Sequence, residues 1–315
     1  MLVFFIHGVS TQNTGYADVL INNIKDELVK RQPSIQTNFY SSFWGNLFNN
    51  KKHQVIGCIE KDFSRACDKH DKHKVYKDSC NTFYKYIDRR KQLINNFLGD
   101  FLIYQNPERG KAIRRVILGQ LNQFIEDHSD CKQIHFIAHS LGSLILWDLL
   151  FSDTLTSDDP ALFFREKLNQ LDIVSITTLG SPLLFLKQML DIDFSTLNSF
   201  LNKYSEAHSI VSHKLRWVNI IHSSDLIAYP LKAAIEDEIG SQIFFCDQYV
   251  WQYANAAEKT LRNLGQFDLA MVVAAEDAHS SYFANNLDGA ITGRIIANNL
   301  LGETKKLVER PVNRE

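Results

Sequence analysis

The chain has 315 residues, 45% hydrophobic and 22% charged, an ordinary composition with enough apolar material for one substantial α/β core. Its 34 basic and 36 acidic side chains leave a formal net charge of -2, which gives no electrostatic case for nucleic acid or an anionic membrane as a partner. The 14 Gly and 6 Pro exclude a collagenous or long flexible segment, and no apolar run nears the roughly 20 residues that cross a bilayer.

The first predicted element begins almost at once. Leu2–Ile6 is an apolar run with no basic leader, and it stops at His7-Gly8, too soon for a signal peptide; it reads as a core strand. Residues 16–30 place Val19, Leu20, Ile24 and Leu28 at helical spacing, and residues 35–43 form a weaker strand candidate ending at Trp44-Gly45. Residues 51–104 are rich in Lys, Asp and His, with Phe63, Phe83, Tyr84 and Phe97 interspersed, and read as an inserted helical excursion, partly mobile around 67–77. Asp68, His70, Asp71 and His73 have the residue types of a metal site. Lys69, Lys72, Lys74 and Lys77 interleave with them, which favours a solvated helix face and no metal. Asp100, at the end of this stretch, is read as buttressing the insertion or lining a cleft.

A cleaner apolar stripe follows, Ile113, Val116, Ile117, Leu121, Phe124 and Ile125, and it feeds a strand at residues 133–137. A helix at 143–150 comes next, then strands at 173–179, ending in Gly180-Ser181-Pro182, and at 217–221, ending in His222-Ser223-Ser224-Asp225. Near-continuous apolar strands separated by helices are the pattern of a parallel sheet covered on both faces. Ligands of such sheets bind beyond the carboxyl ends of the strands, where all these polar turns would lie. Residues 183–214 mix Leu and Phe with Asp, Ser and Lys between two such turns, a candidate lid or substrate wall. Residues 289–301 repeat the helical stripe with Ile291, Ile295, Ile296 and Leu300, and the polar residues 304–315 read as a frayed tail. The expected organisation is a single domain over residues 1–303 with 51–104 inserted. Five scattered cysteines without paired metal spacing read as free thiols of a reducing compartment, hence the cytoplasm, with export lacking an N-terminal signal as the alternative.

The chemistry converges on Ser140, in Ala138-His139-Ser140-Leu141-Gly142 between a strand and a helix. A serine at such a tight turn raises its hydroxyl above the carboxyl edge of the sheet, and small residues two before and two after, Ala138 and Gly142, let the backbone double back. A serine hydroxyl needs a base, and the base needs a group to hold its tautomer. Asp225 and His279 supply both in the order nucleophile, acid, histidine. Asp247 and Asp277 are rival acids, and His222 is the rival base, although it reads better as part of the turn presenting Asp225. His7 reads as a core histidine, and His139 as shaping the cleft rather than acting as base. The oxyanion of acyl transfer needs two donors. The backbone N–H groups of Leu141 and Val9 are the candidates, with Gly8 allowing close approach to the serine.

Phe5-Ile6-His7-Gly8-Val9, Ile137-Ala138-His139-Ser140-Leu141-Gly142-Ser143, Leu179-Gly180-Ser181-Pro182, Ser224-Asp225-Leu226-Ile227-Ala228-Tyr229-Pro230 and Ala278-His279-Ser280-Ser281-Tyr282 together resemble the α/β-hydrolase superfamily, and within it the lipase-like serine esterases. The likeness runs to about Asn299, with 51–104 matching only loosely, and Ala138 stands where the usual motif has glycine. The resemblance implies a mostly parallel central sheet flanked by helices, lacking the first edge strands, because family domains usually carry strands before the His-Gly strand. It implies Ser140 as nucleophile, Asp225 as acid and His279 as base, hydrolysing a carboxylic ester through an acyl-enzyme without metal or organic cofactor. A small-molecule or lipid ester would be the substrate, with transient membrane-surface contact. A thioesterase or phospholipase, and a catalytically silent interaction domain docking through residues 51–104, are the alternatives.

Overall fold

The computed structural model describes residues 1–70, 99–207 and 214–308. Among them are six strands: β1 (Leu2–Ile6), β2 (Asn38–Ser42), β3 (Gln133–His139), β4 (Asp172–Leu179), β5 (Arg216–His222) and β6 (Phe244–Val250). They form one sheet in the order β2-β1-β3-β4-β5-β6 with every pairing parallel. The chain starts in the sheet interior, crosses to β2 on one side, and returns to β3 on the other. The order therefore reverses between β1 and β3, and their carboxyl ends meet at a topological switch point, where open parallel sheets bind ligands. Ile6 pairs with Ala138, so His7-Gly8 leaves the sheet beside His139-Ser140.

Five of the strands match the apolar runs of the sequence; β6 does not. Its Phe-Phe-Cys-Asp-Gln-Tyr-Val is mostly half-buried because it pairs only with β5, so polar residues interrupt it and no continuous apolar run announces it. The interior strands are buried on both faces, as the continuous runs require. Helices Asp18–Arg31 and Leu287–Leu301 pack one face, where Leu20, Ile24, Leu28, Ile295, Ile296 and Leu300 join Val3, Phe5, Ile137 and Val218. The alternate strand residues face the other way: the Phe4 ring lies 6.1 Å from Phe124 and 6.2 Å from Phe136, and Phe136 lies 5.9 Å from Phe164.

The residues group into two compact units. One holds Met1–Gly8, Thr14–Phe43 and the chain from Arg114 onward, and includes the whole sheet. The other holds Val9–Asn13 and Trp44–Ile113, so it is larger than an insertion at 51–104. Its described part is helical, with Asn49–His70 and Gly99–Gln105. The loop at 9–13 belongs to it for a visible reason: the Ser10 N–H donates to the carboxylate of buried Asp100 at 2.8 Å. Asp100 thus ties a loop to a helix within this unit. Most of the 67–77 stretch, and the side chains of the Asp68–His73 cluster, lie outside the described residues.

The lid candidate forms helices Leu183–Met189 and Thr196–Ala207, with Leu183, Leu186, Phe194 and Leu197 buried, while 208–213 lie outside the described residues. Of the tail at 304–315, Thr304–Val308 is helical, with Leu307 buried and its carbonyl accepting the Gln248 amide, and 309–315 lie outside the described residues. No helix among the described residues is long and apolar enough to cross a membrane.

Candidate active site

The turn at Ser140 is strained as well as tight. Ser140 takes φ 54° and ψ -125°, a region that L-residues with a side chain rarely adopt. The surroundings hold it there: its N–H donates to the Leu179 carbonyl at 2.9 Å, its own carbonyl accepts from Ser143, and helix Leu141–Leu150 starts immediately behind it. The two glycines leave no room for a side chain. A Cβ on Gly8 would stand 2.5 Å from Ser140 Cβ and 2.8 Å from the His139 carbonyl oxygen. One on Gly142 would run into the Ile6 and His7 carbonyls of the neighbouring strand end.

Three distant segments meet at this turn. The His279 Nε2 lies 2.8 Å from Ser140 Oγ, and its Nδ1 lies 2.9 and 3.0 Å from the two carboxylate oxygens of Asp225. An ionised carboxylate only accepts, so Nδ1 carries the proton in the neutral imidazole. Nε2 is then the lone pair that faces the serine hydroxyl. Ser140 is fully buried, and the His279 side chain is 17% exposed. His279 sits in the last turn of helix Phe267–Ser280 rather than in a loop.

Asp225 is tightly supplied with donors. Burial pushes its carboxyl up, but the His279 charge and hydrogen bond, the Ile227 N–H and the Tyr282 hydroxyl together hold it below the usual carboxylate range. The Ile227 N–H reaches Oδ1 at 2.9 Å and the Tyr282 hydroxyl reaches Oδ2 at 2.9 Å. Just before Asp225, the Ser224 hydroxyl bonds buried Glu258 and accepts from Arg262, whose guanidinium pairs with Glu258 at 2.6 Å.

The rival residues have other work. Asp247 accepts from the Asn219 side chain and from the N–H groups of Leu231 and Lys232, at the start of helix Lys232–Ile239. Asp277 accepts from Asn255. His222 accepts the Ser224 N–H at Nδ1, and its carbonyl accepts the Asp225 N–H, so it shapes the turn that carries Asp225. His7 is buried between the Tyr16 and Phe43 rings, and burial pushes it down to about 4. His7 also does something the sequence reading missed. Its Nδ1–H donates to the Gly8 carbonyl at 2.6 Å, and because that peptide is trans, the Val9 N–H points away from that carbonyl. Val9 itself opens the second unit. The Leu141 N–H heads its helix, among the first N–H groups that have no intrahelical partner.

His139, read from the sequence as shaping the cleft, lies at the site, and Gly180 and Tyr282 lie there without having been given a role. The Nε2–H of His139 donates to the His279 carbonyl at 2.9 Å, and the two rings lie 4.7 Å apart. Burial first, then the charge of His279, push His139 down to about 3, so it stays neutral. Gly180, at φ +55°, brings β4 so close that a Cβ there would stand 2.9 Å from Asp225 Oδ2 and 3.1 Å from His279 Cε1. The only sequence signal for Gly180 was its place in a polar turn. Tyr282 was legible only as the last residue of Ala278-His279-Ser280-Ser281-Tyr282, where nothing says that its hydroxyl meets Asp225.

The chain matches no protein-family model and no curated protein. What the residues define is an α/β protein whose all-parallel sheet gathers a serine, a histidine and an aspartate at its switch point.

Proposed function

We propose that this protein is a serine hydrolase of carboxylic esters, of the α/β-hydrolase type, working through an acyl-enzyme on Ser140. The observation that carries the reading is the single line Ser140 Oγ, His279 Nε2, His279 Nδ1, Asp225, with 2.8 Å on the serine side and 2.9 Å on the acid side. It begins at a serine held at φ 54°.

In this reading His279 takes the hydroxyl proton as Ser140 Oγ attacks the ester carbonyl carbon, and Asp225 stabilises the imidazolium. The carbonyl oxygen becomes an oxyanion that accepts from Leu141 N–H, favoured further by the helix N-terminus. Collapse expels the alcohol, which takes the proton from His279 and leaves Ser140 acylated. Water then attacks the acyl carbon, giving its proton to His279, and the acid departs as Ser140 is restored. Side chains supply every proton transfer in this route, so it calls for neither metal nor organic cofactor. The substrate is a small-molecule or lipid ester met in the cytoplasm, with brief membrane-surface contact for the lipid case. A thioester or phospholipid is accommodated by the same steps, and a chain-length series of acyl esters separates these substrates.

The test is turnover of p-nitrophenyl acetate and labelling by a fluorophosphonate. Wild-type protein is expected to do both, and Ser140→Ala neither, with an unchanged fold. Unlabelled wild-type Ser140 would instead favour a catalytically silent interaction domain.

A further inference from the structure

Tyr282 is a fully buried polar group at the site that no chemical step uses. It lies in the 3-10 turn Ser281–Phe283, three residues after His279, and has no solvent exposure. Its hydroxyl oxygen accepts the His222 N–H at 2.9 Å, and its O–H points to Asp225 Oδ2 at 2.9 Å. A carboxylate cannot donate, so the direction is settled: the main chain of β5 donates to the phenol, and the phenol donates to the acid. Burial and the adjacent Asp225 raise the phenol well above its ordinary range, so it keeps its proton. Oδ2 is also the oxygen 2.9 Å from His279 Nδ1. Tyr282 O–H and His279 N–H therefore share one acceptor. Gly180 closes the other side, where a Cβ would lie 3.0 Å from the Tyr282 ring.

We infer that Tyr282 is a positioning residue: its hydroxyl, anchored on the His222 N–H, fixes the rotation of the Asp225 carboxylate and takes part of its charge, and so sets how strongly Asp225 holds His279. The inference rests on the reading of Ser140, Asp225 and His279 given under Proposed function. Because base and anchor lie on one short segment, a shift of that segment moves both together and keeps acid and base in register.

The experiment uses the full chain with Tyr282→Phe, which removes one oxygen atom. Without the competing donor, the carboxylate leans wholly on His279, so the imidazole holds its proton more tightly. The acid limb of kcat/KM for p-nitrophenyl acetate is then expected to move to higher pH by several tenths of a unit. Loosening of the carboxylate lowers kcat about tenfold with KM within twofold. Packing alone would scale the rate equally at every pH. A second variant, Tyr282→3-fluorotyrosine, strengthens the donor and should move the limb to lower pH.

A readout independent of turnover is the nuclear magnetic resonance titration of His279 in 15N-histidine protein, identified by its loss in His279→Asn. An unmoved titration in both variants overturns the role of Tyr282. Opposite shifts in the two variants, with wild-type Ser140 unlabelled by fluorophosphonate, uphold Tyr282 and defeat the hydrolase reading instead.

Discussion

The Nε2–H of His139 donates to the carbonyl oxygen of His279 at 2.9 Å, so the residue beside the serine is tied directly to the residue whose imidazole faces the serine hydroxyl. The carbonyl lies at a helix C-terminus, where the last turn leaves backbone acceptors without intrahelical partners. The bond therefore satisfies a backbone group and sets the distance between Ser140 and His279 in one contact.

Removing that donor tests the link. His139→Phe keeps a ring of similar size against His279 and loses the N–H. It is expected to cost about 1 kcal/mol of stability and to lower kcat roughly tenfold through misplacement of the imidazole. His139→Gln, which retains an N–H donor, should recover part of kcat. Equal kcat in His139→Phe and wild type would show that the contact does not position the base. Kinetics with p-nitrophenyl acetate and thermal unfolding measure both effects.

Gly180→Ala places a methyl group against Asp225 Oδ2 and His279 Cε1 at a backbone position of φ +55°. The expected result is a loss of turnover of at least about tenfold with about 1–2 kcal/mol of destabilisation. Gly119→Ala is the contrast: it lies within helix Pro107–Asp127, and a Cβ there meets no described atom within 4 Å. That change should leave turnover untouched and stabilise by up to about 1 kcal/mol. Denaturant titration beside activity separates the two.

Asp225→Asn and Asp247→Asn should fail in different ways. An amide at 225 can present an N–H to His279 Nδ1, which favours the tautomer that points a proton at Ser140. Turnover is expected to fall by about 10⁴-fold. Asp247 instead accepts from Asn219, Leu231 and Lys232. Its replacement should lower the melting temperature and leave kcat within about twofold, since surface-helix capping is worth only about 1 kcal/mol. Similar losses of kcat in both variants would contradict the assignment of the acid.

Stability should fall in mild acid. Burial holds His7 at about 4, and His135 and His139 at about 3, each down from 6.5. Between pH 6.5 and those values the unfolded chain binds protons that the folded chain refuses. Their contribution to stability is therefore complete above pH 6.5 and is lost as pH falls, at about 1.4 kcal/mol per pH unit for each histidine. Melting temperatures measured from pH 7 to 4.5 should decline, and His135→Gln, which can keep the bond to Ser175, should decline less steeply. A flat profile would mean that these imidazoles are not held neutral.

Much of the architecture was legible because it depends on local pattern. Buried parallel strands need near-continuous apolar runs, and β1, β3, β4 and β5 have them, with only small or hydrogen-bonded polar residues between. The half-buried edge strand β6 does not, and it escaped the reading. The elbow at Ser140 was legible for a related reason, since small residues two places to either side are a local steric demand. The helix at Thr304–Val308 was hidden by its polar sequence, because one buried leucine and a side chain from a distant strand hold it.

The sequence by itself determined the sheet strands with strong apolar character, the tight turn at Ser140, and the order of a serine, an aspartate and a histidine along the chain. Only the tertiary structure decided that Asp225 rather than Asp247 or Asp277 faces His279, that Asp100 holds the loop at Ser10, and that Tyr282, His139 and Gly180 enclose the site. The physical reason is range. Steric and hydrophobic demands act on neighbours in the chain and leave a periodic trace. A hydrogen bond between residues 57 positions apart, as from Tyr282 to Asp225, depends on directions that exist only after the sheet has formed.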